Sequence, residues 1–247
     1  MDALTVKVYD SPEIVAIAAS AIARDILQTA INQRGKAVAI FATGRSQLQF
    51  LSHLTCPTTA LDWQRITGFH LDEYLGIAAD HPASFRHYLK AYLTSKVALG
   101  QWYGIEGDGL LPIEICQAYE EKLRANPADL CCLGIGNNGH LAFNDPAVAS
   151  FTDPRWVKIV RLDEQNRQQQ ASSAFSNLEA VPQYAFTLTL SAIRATRHSL
   201  CLAVGQGKAA IIHKMLTAPI EPRCPASILR RMPQAVLLID RAAASVI

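Results

Sequence analysis

Short apolar segments alternate with helix-like segments along most of the chain, and this alternation limits the fold more than any other feature. The apolar runs are typical of buried strands, and the segments between them carry helix signals, as where Ser11 and Pro12 open a helix that Gly35 ends. Strands separated by helices predict an α/β fold with a mostly parallel sheet and helices on both faces. The predicted strands are 6–9, 37–42, 66–69, 130–133, 156–160, 185–190, 199–204 and 235–239, and the predicted helices are 12–34, 47–54, 83–93, 112–124 and 208–216.

Size and composition predict one soluble domain that covers residues 1–247. Half of the 247 residues are hydrophobic and 18% are charged, which is enough to bury a full core. The net charge is +2 and no basic cluster stands out, so we expect no nucleic-acid partner. No apolar run approaches the roughly 20 residues that span a membrane, and no signal peptide is recognisable. We therefore expect a cytoplasmic protein without a membrane partner.

The cysteines predict a reducing compartment and no metal site. None of the six belongs to a Cys-x-x-Cys pair, and most lie in apolar surroundings, as expected of free buried thiols. A zinc site is not expected. The positions are Cys56, Cys116, Cys131, Cys132, Cys201 and Cys224.

Residues 133–146 combine glycines with a dense set of polar side chains directly after an apolar strand. The glycines let the backbone turn sharply and approach a ligand closely. They match a dinucleotide-binding pattern, but Pro146 follows where that pattern needs a long helix. A site for a small polar ligand fits better, and a turn whose side chains only cap local backbone groups is the structural alternative. The polar residues of the stretch include Asn138, His140, Asn144 and Asp145.

Four predicted strands end in residues suited to ligand binding. Ligands of parallel α/β sheets bind beyond the carboxyl ends of the strands, so these four exits are expected to meet in one site. The exits are residues 43–46, 72–73, 138–145 and 205–208.

Two of these exits predict a bound phosphate. Residues 43–46 open a helix, so its first N–H groups and the hydroxyls of Thr43 and Ser46 can hold an anion. Lys208 stands at a second helix start, where a cation gains nothing from the helix dipole, and a bound anion explains it. The alternatives are ordinary capping by the two hydroxyls and a solvated lysine.

Five segments carry a resemblance to a known family. They occur in the order FATGRSQL (41–48), FHLDEYLG (69–76), HPASF (81–85), GIGNNGHLAFNDP (134–146) and GQGKA (205–209). Together they resemble the glucosamine-6-phosphate deaminases. The related 6-phosphogluconolactonases usually lack the Ala-Phe-Asn continuation. The resemblance implies a Rossmann-like α/β domain that converts glucosamine 6-phosphate and water to fructose 6-phosphate and ammonia, without a metal or organic cofactor.

The resemblance also implies roles for individual residues. Asp72 falls on the general base that moves a proton between C2 and C1, and His140 on the residue that opens the sugar ring. Glu73, which lies beside the base, and Gly139 are expected to bind the substrate. The substrate-phosphate positions are Thr43, Gly44, Arg45, Ser46 and Lys208.

The chain departs from the family at several of these positions. Asn138 stands where an aspartate is usual and Asp145 where a glutamate is usual, and both belong to the expected catalytic group around the histidine. Arg45 replaces a glycine of the phosphate turn. Ungapped counting puts the family's phosphate-binding arginine near Ser172, and Arg167 is the nearest candidate.

The sequence thus predicts a sugar-phosphate isomerase/deaminase that acts as a monomer or small homo-oligomer. Val148 and Trp156 replace two residues of the family's allosteric site, so we do not expect allosteric activation. One alternative is hydrolysis of a sugar-phosphate lactone on the same fold, with His140 activating water. The other is a sugar-phosphate sensor without catalysis, but the chain has no room for a DNA-binding helix-turn-helix.

Overall fold

A seven-stranded parallel sheet forms the centre of the protein, in a computed structural model that describes residues 3–171 and 175–247. The α/β fold predicted from the sequence is confirmed. Its strands are β1 (Thr5–Tyr9), β2 (Ala37–Phe41), β3 (Ile66–His70), β5 (Gln101–Trp102), β6 (Leu130–Gly134), β9 (Ser199–Ala203) and β10 (Ala235–Asp240). They lie in the order β1-β10-β9-β6-β2-β3-β5, and every pair is parallel.

Helices cover both faces of this sheet, because alternate residues of its strands enter two separate cores. In β2, Ala37, Ala39 and Phe41 pack on one face, whereas Val38 and Ile40 pack on the other. The α-helices are α1 (Pro12–Arg34), α2 (Arg45–Leu54), α3 (Phe85–Leu89), α4 (Pro112–Ala125), α5 (Glu164–Ala171), α6 (Leu190–Arg194) and α7 (Ala209–Thr217). A π-helical turn, Lys90–Thr94, extends α3, so the helix predicted at 83–93 is two successive elements.

Helix α1 begins and ends as its sequence predicts. Ser11 caps its first turn by accepting the N–H of Ile14, and Gly35 ends it at φ +76°. By length and mean hydropathy this helix could cross a membrane, contrary to the expectation that no apolar run approaches that length. Its residues Val15 and Leu27 are fully buried in the core beneath the sheet, so α1 packs as a core helix of the α/β domain.

The chain also forms a second, antiparallel sheet, which the sequence did not predict. It consists of β4 (Asp72–Tyr74), β8 (Tyr184–Leu188) and β7 (Val157–Arg161), in that order. The predicted strands 156–160 and 185–190 belong here, and β4 was not predicted because it has only three residues. A single residue, Leu71, separates β4 from β3. Its carbonyl accepts the N–H of Leu188 in β8 (2.8 Å).

The strand order brings the four predicted exits to one edge. β9, β6, β2 and β3 are consecutive neighbours, and their carboxyl ends lead into residues 205–208, 135–145, 43–46 and 71–72. Neighbouring strands lie about 4.8 Å apart, so the four segments fall within the width of one small ligand site.

Candidate active site

The loop after β6 folds back on itself and places the imidazole of His140 against Gly136. The N–H of Gly136 donates to the carbonyl of His140, and the N–H of Gly139 donates to the carbonyl of Gly136 (3.0 Å each). A Cβ atom at Gly136 would lie 2.1 Å from Cε1 of His140, so only glycine allows this approach. Gly139 has φ +89°, and a Cβ atom there would lie 3.1 Å from Sγ of Cys224.

Asp145 and Asn138 meet beside this imidazole. Nδ1 of His140 lies 3.0 Å from Oδ1 of Asp145, an ion-pair distance, although the ring is not aligned for a hydrogen bond. Nδ2 of Asn138 donates to the same carboxylate oxygen (2.8 Å), and its Oδ1 accepts the backbone N–H of His140 (3.1 Å). Asn138 therefore holds the carboxylate and the loop backbone.

The carboxylate of Asp145 lies on the Nδ1 side of the histidine ring. A carboxylate facing Nδ1 favours the proton on that nitrogen and leaves Nε2 to exchange a proton with a ligand. Asp145 is buried, which strengthens its field at the ring.

Asp72 lies where the chain passes from the parallel sheet into the antiparallel one. Its side chain is 8% exposed, and burial, with the charge of Glu73 as a second cause, raises its pKa well above the usual range of a carboxyl group. A carboxylate with a raised pKa is suited to remove a proton from carbon near neutral pH.

Strand β8 connects Asp72 with the histidine loop. Thr187 is the residue opposite Asp72 in the antiparallel pair, and its Oγ1 accepts the N–H of Phe143 (3.1 Å). The Phe143 ring lies 5.3 Å from that of Tyr74, on the strand of Asp72. The base candidate and the histidine loop are thus fixed to one framework.

The contacts of Glu73 do not fit its expected role in substrate binding. It is fully buried, and both of its carboxylate oxygens accept protein hydrogen bonds. Oε1 accepts the N–H groups of Tyr74 and Phe85 (3.0 Å each), and Oε2 accepts Oγ of Ser84 (2.7 Å) and the N–H of Arg86 (3.0 Å). Glu73 therefore fastens the first turn of α3 to β4, and this corrects the expectation that it binds substrate.

Residues 43–46 form the turn that leads from β2 into α2. Gly44 has φ +103° and caps the helix without a side chain, and neither Thr43 nor Ser46 caps it among the described residues. Oγ of Ser46 instead accepts a hydrogen bond from Nε2 of Gln47. The same Nε2 also donates to the carbonyl of Leu133 at the end of β6 (3.2 Å). The N–H of Gln47 donates to the carbonyl of Gly44 (3.0 Å), whereas those of Arg45 and Ser46 make no backbone hydrogen bond to any described residue and are left for an anion.

Lys208 points from the exit of β9 toward the histidine loop. Its Nζ donates to Oδ1 of Asn137 (2.7 Å), in the loop that carries His140. Burial lowers the pKa of Lys208, against an opposing effect of Cys201. This ammonium group is therefore partly desolvated, unlike a solvated surface lysine, and desolvation strengthens its attraction for an anion.

Arg167 and Arg45 lie in different surroundings. Nη2 of Arg167 donates to the carbonyls of Leu178 and Val181 (2.8 and 2.9 Å), so it is not drawn to the other phosphate candidates. It lines a separate cavity of about 530 Å³ that none of the other predicted site residues borders. Arg45 is exposed at the first position of α2, and Ser172 lies outside the described residues.

Across residues 3–171 and 175–247, no group of three or more side chains is arranged to hold a metal ion. The side chains brought to one edge of the sheet are acids, bases, amides and a cation. They can bind an anion at one end and transfer protons at the other.

Comparisons with known proteins agree with this arrangement. The sequence profile of the family described as glucosamine-6-phosphate isomerases/6-phosphogluconolactonase matches residues 10–238. A glucosamine-6-phosphate deaminase of Arthrobacter sp. (strain FB24) is 34% identical over 232 residues, which is 91% of this chain and 87% of that protein. One of Listeria monocytogenes serotype 4a is 34% identical over 187 residues, 76% of this chain and 78% of that protein.

Solved structures extend the comparison to the fold. A monomeric glucosamine-6-phosphate deaminase superposes with a TM-score of 0.91 at 30% identity, covering 98% of this chain and all of the other. A 6-phosphogluconolactonase from Trypanosoma brucei has a TM-score of 0.80 at 18% identity over 98% of this chain and 97% of that one, and shares the fold. The chain belongs to the glucosamine-6-phosphate isomerase/6-phosphogluconolactonase family.

Proposed function

We propose that this protein is a glucosamine-6-phosphate deaminase, which converts glucosamine 6-phosphate and water to fructose 6-phosphate and ammonia. The observation that carries the proposal is the buried Asp72, with its raised pKa, on the framework that also holds the His140–Asp145 pair. A carbon acid–base catalyst beside a ring-opening histidine is what an aldose–ketose conversion of a cyclic sugar needs. The deaminases among its relatives support the same conclusion.

The substrate phosphate binds at the turn of residues 43–46. The N–H groups of Arg45 and Ser46 at the start of α2 face the anion, Thr43 and Ser46 add hydroxyls, and Lys208 supplies the positive charge. This anchor fixes the C6 end of the sugar, so the C1 and C2 atoms extend toward the other strand exits.

His140 opens the sugar ring. Its Nε2 takes the proton of the C1 hydroxyl and returns a proton to the ring oxygen, which breaks the bond between C1 and that oxygen and yields the aldehyde. Asp145 stabilises the transient imidazolium from the Nδ1 side. Asn138 keeps the carboxylate in place through its amide.

Asp72 moves the proton from C2 to C1 of the opened sugar. Removal of the C2 proton gives an enolamine, and protonation at C1 leaves a C=N bond at C2. Water adds to that carbon and ammonia leaves, which gives the ketose. The buried carboxyl group suits both directions of the transfer because it is a stronger base than an exposed one.

The test is to incubate the purified protein with a panel of hexose phosphates and with 6-phosphogluconolactone, and to measure ammonia, ketose and acid together. We expect equal amounts of ammonia and fructose 6-phosphate from glucosamine 6-phosphate. Asp72→Asn should abolish exchange of the C2 proton with solvent while it still binds inorganic phosphate. Acid from the lactone without ammonia would favour the lactonase alternative, and wild-type exchange in the variant would remove Asp72 as the base.

We further propose that residues 1–247 act as a single domain in the cytoplasm, as a monomer or small homo-oligomer without nucleic-acid or membrane partners. The small net charge and the relative described as monomeric support this. Light scattering of the purified protein measures its mass, and an assembly larger than a tetramer would contradict the proposal.

A further inference from the structure

The hydroxyl of Tyr88 reaches from α3 to the phosphate turn. It donates a hydrogen bond to the carbonyl of Gly44 (2.9 Å), and the same carbonyl accepts the N–H of Gln47 (3.0 Å). Because a trans peptide is planar, a carbonyl held on one side directs the N–H of Arg45 to the other. The contact therefore fixes the orientation of the peptide between Gly44 and Arg45.

This orientation matters because the peptide has two faces of opposite polarity. Gly44 adopts φ +103° and has no Cβ atom, so its backbone is free to rotate. If the peptide between Gly44 and Arg45 turned over, its carbonyl oxygen would face a bound anion. An oxygen facing phosphate repels it, whereas an N–H attracts it. Two donors on the Gly44 carbonyl keep the oxygen away from the site.

The ring of Tyr88 is held firmly enough to serve this purpose. It is half-buried and packs on the apolar cluster under α2, which includes Phe50 and Leu54. Its ring lies 4.8 Å from that of Tyr92. Burial raises the pKa of Tyr88, so its hydroxyl is a neutral donor at physiological pH.

The other end of α3 is fastened beside the base. Glu73, the residue after Asp72, accepts the N–H groups of Phe85 and Arg86 in the first turn of α3. The helix thus spans from the strand of the base to the turn that holds the phosphate.

We propose that Tyr88 is a positioning residue for the substrate phosphate, acting through the Gly44 carbonyl. The proposal rests on the proposed function for its substrate, and on the structure for its mechanism. It assigns Tyr88 a role in binding the phosphate and none in proton transfer.

The test compares Tyr88→Phe with Tyr92→Phe. The first change removes only the hydroxyl and keeps the packed ring. The second removes a hydroxyl from the neighbouring ring, which is 44% exposed and makes no hydrogen bond to any residue that the structure describes. Calorimetry measures binding of inorganic phosphate to each protein, and kinetics with glucosamine 6-phosphate separate kcat from KM.

We expect Tyr88→Phe to weaken phosphate binding and raise KM by about threefold to tenfold, as for loss of one neutral hydrogen bond, with kcat unchanged. Tyr92→Phe should match the wild type. Equal phosphate affinity in all three proteins, a fall in kcat alone, or no phosphate binding by the wild type would overturn the proposal. If the wild type binds phosphate but releases no ammonia, the proposed function fails while the calorimetry still tests Tyr88.

Discussion

The amide of Asn138 contacts the same oxygen of Asp145 that approaches the imidazole of His140. An aspartate is usual at position 138 in the family, and it would bring a second negative charge to this oxygen. Here the neutral amide donates a hydrogen bond instead, so residues 138 and 145 need not share a proton. Asn138 also accepts the backbone N–H of His140, which a carboxylate oxygen could do equally well.

We therefore expect Asn138→Asp to make ring opening depend on pH. Two carboxylates at 2.8 Å share a proton at low pH, and they repel each other once that proton is lost. Repulsion displaces Asp145 from the histidine, so kcat on the closed sugar should fall relative to the wild type as the pH rises. Each 1.4 kcal/mol of lost transition-state stabilisation lowers kcat by about tenfold. Asn138→Ala, which removes the donor without adding charge, should lower kcat equally at all pH values. Faster turnover by Asn138→Asp across the whole pH range would contradict this expectation.

The residue types of the site were predictable from the sequence, but their contacts were not. Asp72, His140 and Lys208 stand at strand exits that the chain pattern identifies. Glu73 shares its motif with Asp72, and only the position of α3 reveals that its oxygens are occupied by the backbone. Tyr88 carries no sequence signal, since a tyrosine in a short helix is more often a packing residue.

The carboxylate of Glu73 accepts hydrogen bonds from the N-cap residue and the first turn of helix α3. Glu73→Gln retains one acceptor oxygen but turns an amide group toward backbone N–H donors, and such a mismatch costs about 1–3 kcal/mol. We expect a lower free energy of unfolding in urea. The change also removes the charge that helps to raise the pKa of Asp72, so the acid limb of kcat/KM should move to lower pH.

Asp108→Asn is the matched control for this change. Asp108 is exposed and accepts Nη2 of Arg86 (2.9 Å), whose Nε lies 3.4 Å from Oε2 of Glu73. Its loss therefore removes a negative charge from the same ion network but leaves the hydrogen bonds between Glu73 and the backbone of α3 in place. It should leave both stability and the acid limb near the wild type. If Glu73→Gln behaves like this control, Glu73 neither anchors the helix nor influences the base.

At the level of elements, periodicity identified strands but not the sheets to which they belong. β7 and β8 are apolar strands like the others, and their antiparallel pairing depends on β4. That strand has three residues and lies inside a motif whose polar side chains obscure any strand pattern. Long helices such as α1 and α4 were predictable because their caps and apolar spacing are local.

For the molecule as a whole, the buried Asp72 is a source of instability. Its pKa in the folded protein lies above the ordinary value of 3.8, so the folded state keeps a proton that the unfolded chain has released. The protonated group favours folding below the unfolded pKa, and this contribution is lost as the pH rises through the folded pKa. Proteins commonly accept such a loss at catalytic sites.

Asp72→Asn should therefore stabilise the protein at neutral pH. The amide has nearly the same shape and never ionises, so its advantage over the wild type should be absent near pH 4 and grow as the pH rises from there. Urea unfolding of both proteins at a series of pH values from about 4 to 8 measures the difference in free energy. Asp80→Asn, at an exposed aspartate, controls for the loss of one negative charge and should show no such growth. A difference between Asp72→Asn and the wild type that stays constant over this range would mean that Asp72 is ionised in the folded protein throughout, and its role as a base with a raised pKa would have to be abandoned.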